Sequence, residues 1–283
     1  MLNIERPILS PNMKACWIWW TMKISIVAPN LNERRFLFTF LESLVDQTFR
    51  NFEIIIVDGG SSDGSLEMLR RYTARLRMRV LIDRTRNIGY VRNVGSFLAQ
   101  GDLIFNTSTD TYFVPDLLQK VALIFLDPEV IAVSGRTLPI NSGLVSVLAY
   151  TAFDLIRYLF TVAPWPLHKF RPAGNFTCIR NDVFRALGGF PEVKINEDGL
   201  LGQRIDDFMR GQISQLDPAR VVFRLDLFVG HHAKRFQKKG GLKAMAMYVY
   251  VFANMLPFLR PLFRHIERKS GEIFASRSDI GGV

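Results

Sequence analysis

Between Lys23 and Asp110 the chain alternates short, continuous apolar runs with amphipathic stretches, and that alternation leaves few folds open. Residues 23–29, 52–58, 79–82 and 103–108 read as strands, rich in β-branched and aromatic residues and closed by turn residues. Helical spacing runs through Phe36, Leu37, Phe40, Leu41 and Leu44, then through Leu66, Met68, Leu69 and Tyr72, and again over residues 90–100. Strands that are apolar throughout, joined by helices, imply a mostly parallel sheet covered on both faces, an α/β fold. In such sheets ligands bind outside the carboxyl ends of the strands. The polar residues collect at those ends: Asn30, Asn32 and Glu33, then Asp58, Ser61 and Asp63, then Ser108 and Asp110. A lone Asp after a strand is commonly a helix cap, and Asp63 before Gly64 and Ser65 reads as one. Three polar strand ends together read as a binding crevice.

Neither GxGxxG nor GxxxxGK[ST] occurs in the N-terminal half, which excludes the usual dinucleotide and P-loop phosphate sites. The 283 residues, 48% of them apolar, suffice for one large domain with appendages. A net charge of +10 points to anionic partners such as nucleotides, phosphates or an anionic membrane face. The two cysteines, Cys16 and Cys178, form no CxxC pattern and fit free thiols in a reducing compartment.

Residues 1–21, with the apolar cluster at 16–20, read as an N-terminal tail: the cluster is too short for a secretory segment and no A-x-A site follows. Residues 143–170 and 244–259 are apolar enough to suggest membrane contact. The second stretch has basic flanks, with Lys234, Arg235, Lys238, Lys239 and Lys243 before it and Arg260, Arg264, Arg268 and Lys269 after it. At about 16 residues it is shorter than the ~20 that span a bilayer. Residues 233–283 are therefore expected to be a basic, amphipathic helical extension lying on the cytoplasmic membrane face. The alternative is a helix that packs on the main domain or on a second copy in a homodimer.

The order Val27-Ala28-Pro29-Asn30-Leu31-Asn32-Glu33, Ile56-Val57-Asp58-Gly59-Gly60-Ser61-Ser62-Asp63, Asn87-Ile88-Gly89-Tyr90-Val91-Arg92-Asn93 and Gly101-Asp102-Leu103 resembles the family 2 glycosyltransferases. The resemblance runs from about Lys23 to His232 and implies a GT-A domain over residues 22–232. It implies that Pro29, Asn32 and Glu33 line a nucleotide pocket, that Asp58 accepts a hydrogen bond from the base, and that Asn87 makes another nucleotide contact. The family's Asp-x-Asp metal motif reads Ser108-Thr109-Asp110 here, so Ser108 stands in the donor site where a carboxylate is usual and Asp110 remains as ligand. A second ligand is expected from His231 or His232, which favours Mn²⁺ over Mg²⁺; both histidines read equally as strand caps or acceptor contacts. Glu197 and Asp198 match the family's catalytic acid pair, with Asp198 as general base, and the same pair reads as a helix N-terminal cap. Gln203-Arg204-Ile205 departs from the Gln-x-x-Arg-Trp of processive members, which implies single-sugar transfer. The basic segment 234–241 reads as a cover for the donor diphosphate or as a solvated charge run.

The function so implied is inverting, metal-assisted transfer of one sugar from a UDP- or GDP-linked donor to a lipid-linked or saccharide acceptor, at the cytoplasmic membrane surface. A catalytically inactive GT-A domain serving as a binding module is the competing reading, permitted by the missing carboxylate at Ser108. Nucleic acid is set aside as a partner, because the basic residues lie beside apolar helices rather than among aromatics in a groove.

Overall fold

The computed structural model describes residues 22–193, 196–212 and 219–232. The N-terminal tail, the basic segment 234–241 and the apolar stretch 244–259 lie outside the described residues.

The first half alternates as its pattern dictates: β1 (Ile24–Asn30), α1 (Arg34–Val45), β2 (Phe52–Asp58), α2 (Ser65–Tyr72), β3 (Met78–Ile82), α3 (Ile88–Phe97) and β4 (Leu103–Asn106). Then follow β5 (Thr111–Phe113), α4 (Leu117–Ile124), β6 (Val130–Ile140), α5 (Leu144–Val162), β7 (Thr177–Arg180), α6 (Asn181–Ala186), α7 (Glu197–Gln212) and β8 (Arg220–His232). All eight strands form one sheet in the order β3-β2-β1-β4-β7-β6-β8-β5. β1, β2, β3 and β4 run parallel. The other half is mixed: β7 is antiparallel to β4 and β6, β8 is parallel to β6, and β5 is antiparallel to β8.

Adjacent strand residues point to opposite faces, and the core divides accordingly. Ile24, Ile26, Ile54, Ile56, Phe105 and Phe113 pack on one face with Leu37, Phe40, Leu41 and Leu44 of α1. Val27, Ile55, Ile104 and Ile179 pack on the other with Phe184, Leu201 and Ile205. The chain runs from β1 outward through β2 to β3 and then returns to place β4 on the other side of β1. That reversal opens the crevice at the carboxyl ends of β1 and β4.

The apolar stretch 143–170 contains α5, which by length and composition alone could cross a membrane. Its packing is inverted relative to an ordinary surface helix. The side chains buried against β6 and β8 are Ser146, Tyr150, Asp154, Arg157 and Thr161, spaced at four, four, three and four residues. Arg157 is 1% exposed and pairs with Asp154 at 2.7 Å, while its guanidinium also donates to Ser134 Oγ and to the Arg171 carbonyl. Asp154 accepts from the Thr137 amide on β6 at 2.8 Å. A buried ion pair with its remaining hydrogen bonds met in this way fixes one register of helix on sheet.

Candidate active site

The ends of the first, second and fourth strands meet, as the polar residues there suggest. Asn30 is the link: its Nδ2 donates to Asp58 Oδ2 at 2.6 Å and its Oδ1 accepts from Thr109 Oγ1 at 2.8 Å. Asp58 is fully buried. Its Oδ1 accepts from the amides of Gly60 and Ser61 at 2.9 and 2.7 Å, and its Oδ2 accepts from Ser61 Oγ at 2.7 Å as well as from Asn30. Through these four hydrogen bonds Asp58 shapes the loop over residues 59–61 from beneath.

Asn32 sits above that loop with a φ of 52°. Its amide donates to Ser61 Oγ at 2.8 Å and its Oδ1 accepts from the Ser62 amide at 2.9 Å, so the turns after β1 and β2 form one wall. Pro29 and Glu33 are half-buried beside it, with the Glu33 carbonyl accepting from Phe36 and Leu37 at the start of α1. Asp63 does act as a cap, accepting from the Ser65 amide at α2 and from the Arg34 amide at α1. Asn87 also caps: its Oδ1 accepts from the Tyr90 amide at 3.2 Å and its Nδ2 donates to the Glu192 carbonyl at 2.9 Å. Its amide thus braces α3 against the segment leading to α7.

Asp110 follows the turn after β4 and is 6% exposed. Ser108 Oγ donates to its Oδ1 at 2.5 Å, so the hydroxyl in the usual carboxylate position orients the remaining acid. β8 lies antiparallel to β5 with Thr111 opposite His231, and the His231 Nε2 stands 3.3 Å from Asp110 Oδ2. The far side of the ring is held by α5, whose Tyr150 hydroxyl is 3.1 Å from His231 Nδ1. His232 points the other way along the strand and rests on Phe36, ring centroids 4.3 Å apart. The histidine side chain brought to the Asp110 carboxylate is therefore His231.

Among the described residues no group of three or more His, Cys, Asp or Glu is placed to hold a metal. Asp110 and His231 nevertheless suit a divalent cation, which they would hold through one carboxylate and one imidazole donor. Ligation through Nε2 requires the proton on Nδ1, where the Tyr150 oxygen can accept it.

Glu197 and Asp198 open α7, where the helix dipole favours negative charge. Burial pushes the Glu197 carboxyl up, the adjacent Asp198 adds to this, and Arg92 opposes both. The Arg92 Nε lies 3.2 Å from Glu197 Oε1, and its Nη1 donates to the Thr107 carbonyl at 2.9 Å. Thr107 is also held to Asn175, its Oγ1 donating to that carbonyl at 3.0 Å. The acid pair is thus clamped to the strand end that carries Asp110. Asp198 itself is partly exposed and accepts from the Gly199 amide through Oδ1 at 2.8 Å. Above it lies Gly174: a Cβ there would fall 3.3 Å from Asp198 Oδ2 and 3.1 Å from Arg92 Nη2. The missing side chain keeps open the approach to Asp198 Oδ2, for which no hydrogen bond is seen among the described residues.

Sequence reasoning did not assign roles to Asn30, Arg92, Tyr150 or Gly174. Tyr150 and His231 are 81 residues apart and Arg92 and Glu197 are 105 apart, so only tertiary structure joins them.

The family model for glycosyl transferase family 2 matches residues 25–188. The poly(ribitol-phosphate) beta-N-acetylglucosaminyltransferase TarS of Staphylococcus aureus is 27% identical over 193 residues, 63% of this chain and 31% of that protein. The poly(ribitol-phosphate) beta-glucosyltransferase of Bacillus spizizenii is 38% identical over 104 residues, 35% of this chain and 16% of that protein. This chain spans about a third or less of the length of these curated relatives. Among solved structures, the mannosyltransferase PcManGT of Pyrobaculum calidifontis, in complex with GDP-Man and Mn²⁺, superposes with a TM-score of 0.59. It is 17% identical, and the match covers 78% of this chain and 65% of that one. S. aureus TarS 1–349 with UDP-GlcNAc superposes at 0.56 with 19% identity, covering 91% of this chain and 77% of that one. These two likenesses establish the shared fold.

Proposed function

Because the chain belongs to glycosyl transferase family 2, we propose that it transfers a single sugar from a UDP- or GDP-linked donor to an acceptor hydroxyl or phosphate with inversion at the anomeric carbon. The acceptor is lipid-linked or membrane-proximal. The observation that carries this reading is the clamp of Arg92 between Thr107 and Glu197, which holds Asp198 next to the strand end bearing Asp110.

The walls built by Asn32, Ser61 and Ser62 receive the nucleoside, with Asp58 and Asn30 holding them from below. Asp110 and His231 hold a divalent cation, Mn²⁺ in preference to Mg²⁺. When bound, that cation supplies Lewis-acid stabilisation to the departing diphosphate. The Asp198 carboxylate takes the acceptor's proton as the acceptor oxygen bonds to the anomeric carbon and the bond from that carbon to the diphosphate breaks. The Asp198 carboxylate facing Gly174 favours this reading over an inactive binding domain, because a module that only binds has no use for a base beside an open glycine.

A thermal-shift screen of nucleotide sugars tests the reading. At about 100 times its Kd the true donor stabilises the protein by about 2.7 kcal/mol, and the shift is larger with Mn²⁺ than with chelator. No shift with any UDP- or GDP-linked sugar rejects it.

Arg92 is a positioning residue on this reading. Arg92→Met removes the tie between Glu197 and Thr107, and a displacement of about 1 Å at the base is expected to lower kcat about 10²-fold. KM for the donor stays near that of the parent, and Arg92→Lys restores part of kcat. A change in donor KM alone, with kcat intact, would place Arg92 in binding instead.

A further inference from the structure

The outward face of α5 is a part of the described surface that the sugar-transfer chemistry leaves without a use. Leu144, Val145, Val147, Leu148, Leu155 and Leu159 are all exposed, from 40% at Val147 to 72% at Leu144. The only charged residues of the helix, Asp154 and Arg157, are buried and paired with each other on the opposite side. No charge therefore interrupts the outer face along 19 residues, about 28 Å of helix. Most of its polar residues, and both charged ones, are spent inward, leaving Thr151 as the exposed polar side chain, so water is the wrong medium for what remains.

We propose that this face of α5 docks the enzyme on an anionic phospholipid bilayer, with the helix lying in the plane of the interface. The proposal deepens the membrane-proximal part of the reading above and rests on it for the identity of the acceptor, but the surface itself does not. A bilayer accepts an uncharged apolar strip of any shape, whereas a protein partner requires matching polar groups at the rim. The region past the end of α5 has interfacial character: Trp165 and Leu167 are 40% and 61% exposed, and the Arg210 guanidinium lies over the Trp165 ring at 5.2 Å. Exposed Trp paired with a basic residue suits the headgroup layer. The net charge of +10 complements an anionic surface. The helix cannot span the bilayer, because its Tyr150–Asp154–Arg157 side is packed on β6 and β8.

The same helix touches the active site. Tyr150, on the inner face, contacts His231. Seating the outer face on lipid therefore brings the Asp110–His231 side of the cleft within one helix diameter of the membrane, about 10 Å.

The test uses the full chain in two parallel measurements. Sedimentation with phosphatidylglycerol-containing vesicles, compared with pure phosphatidylcholine vesicles, reads docking. The nucleotide-sugar thermal shift separately reads the donor site. The parent is expected to sediment with the anionic vesicles, and Leu148→Glu/Leu155→Glu to lose at least about tenfold in partitioning with the donor shift unchanged. The milder Leu148→Asn/Leu155→Asn is expected to fall between them, which guards against a folding defect in the glutamate variant. Equal sedimentation of parent and both variants overturns the proposal. So does a parent that ignores vesicles, or a dimer in ultracentrifugation that Leu148→Glu/Leu155→Glu converts to monomer while vesicle binding persists. Loss of the donor shift in the parent sinks the transferase reading without touching the docking face.

Discussion

Replacing Asp198 by asparagine is expected to lower kcat for sugar transfer by about 10²–10⁴-fold while leaving donor binding unchanged. The substitution is nearly isosteric and keeps an oxygen for the Gly199 amide, so the start of α7 keeps its hydrogen bond. What disappears is the second oxygen, the one facing Gly174, and with it the ability to accept a proton. An acceptor hydroxyl loses its proton only as it attacks, so this group acts in the transition state and its loss falls on kcat rather than on KM. Initial rates at saturating donor and acceptor, together with the donor thermal shift, give the two readouts. A kcat equal to the parent's removes Asp198 as the base.

Asp110→Ala carries the second large effect. It takes away the carboxylate that faces His231 at 3.3 Å, and with it the stabilisation of the leaving diphosphate. That contribution amounts to several kcal/mol, about 10³-fold in kcat. The increment that Mn²⁺ adds to the donor thermal shift is expected to vanish as well. His231→Ala is the milder companion, since phosphate oxygens and water can fill one position more readily than two. Tenfold more Mn²⁺ restoring His231→Ala but not Asp110→Ala would assign the larger share to the carboxylate. Full Mn²⁺ dependence surviving in Asp110→Ala would place the cation elsewhere.

The first half of the fold was legible because its strands are buried on both faces. Residues 23–29 and 103–108 appear in the structure as Ile24–Asn30 and Leu103–Asn106, shifted only at their polar ends. The Thr107 amide still donates to the Val27 carbonyl of β1, and the strand ends where the Ser108 carbonyl accepts from the Thr111 amide to form a turn. Helix α3 starts two residues before residue 90 because Asn87 caps it. The second half was less legible. β5 and β7 are three and four residues long and take their direction from partners far away in sequence. In α5 the apolar residues drew attention to membrane contact. The informative residues were the polar ones at 146, 150, 154, 157 and 161, whose helical spacing marks the protein-facing side. At the site, residue types were readable and contacts were not: that Asn30 joins Asp58 to Thr109 shows only in three dimensions.

The placement of β8 has a consequence for how the enzyme comes to life. It is the last of the described strands, yet it lies between β6 and β5, and β5 pairs with no other described strand. Asp110 immediately precedes β5, and His231 belongs to β8. A nascent chain that has formed β1 to β4 has neither the seat for β5 nor the histidine that faces Asp110. On the proposed reading, the pair that would hold the cation is therefore put together only when β8 joins the sheet, as one event late in the making of the chain.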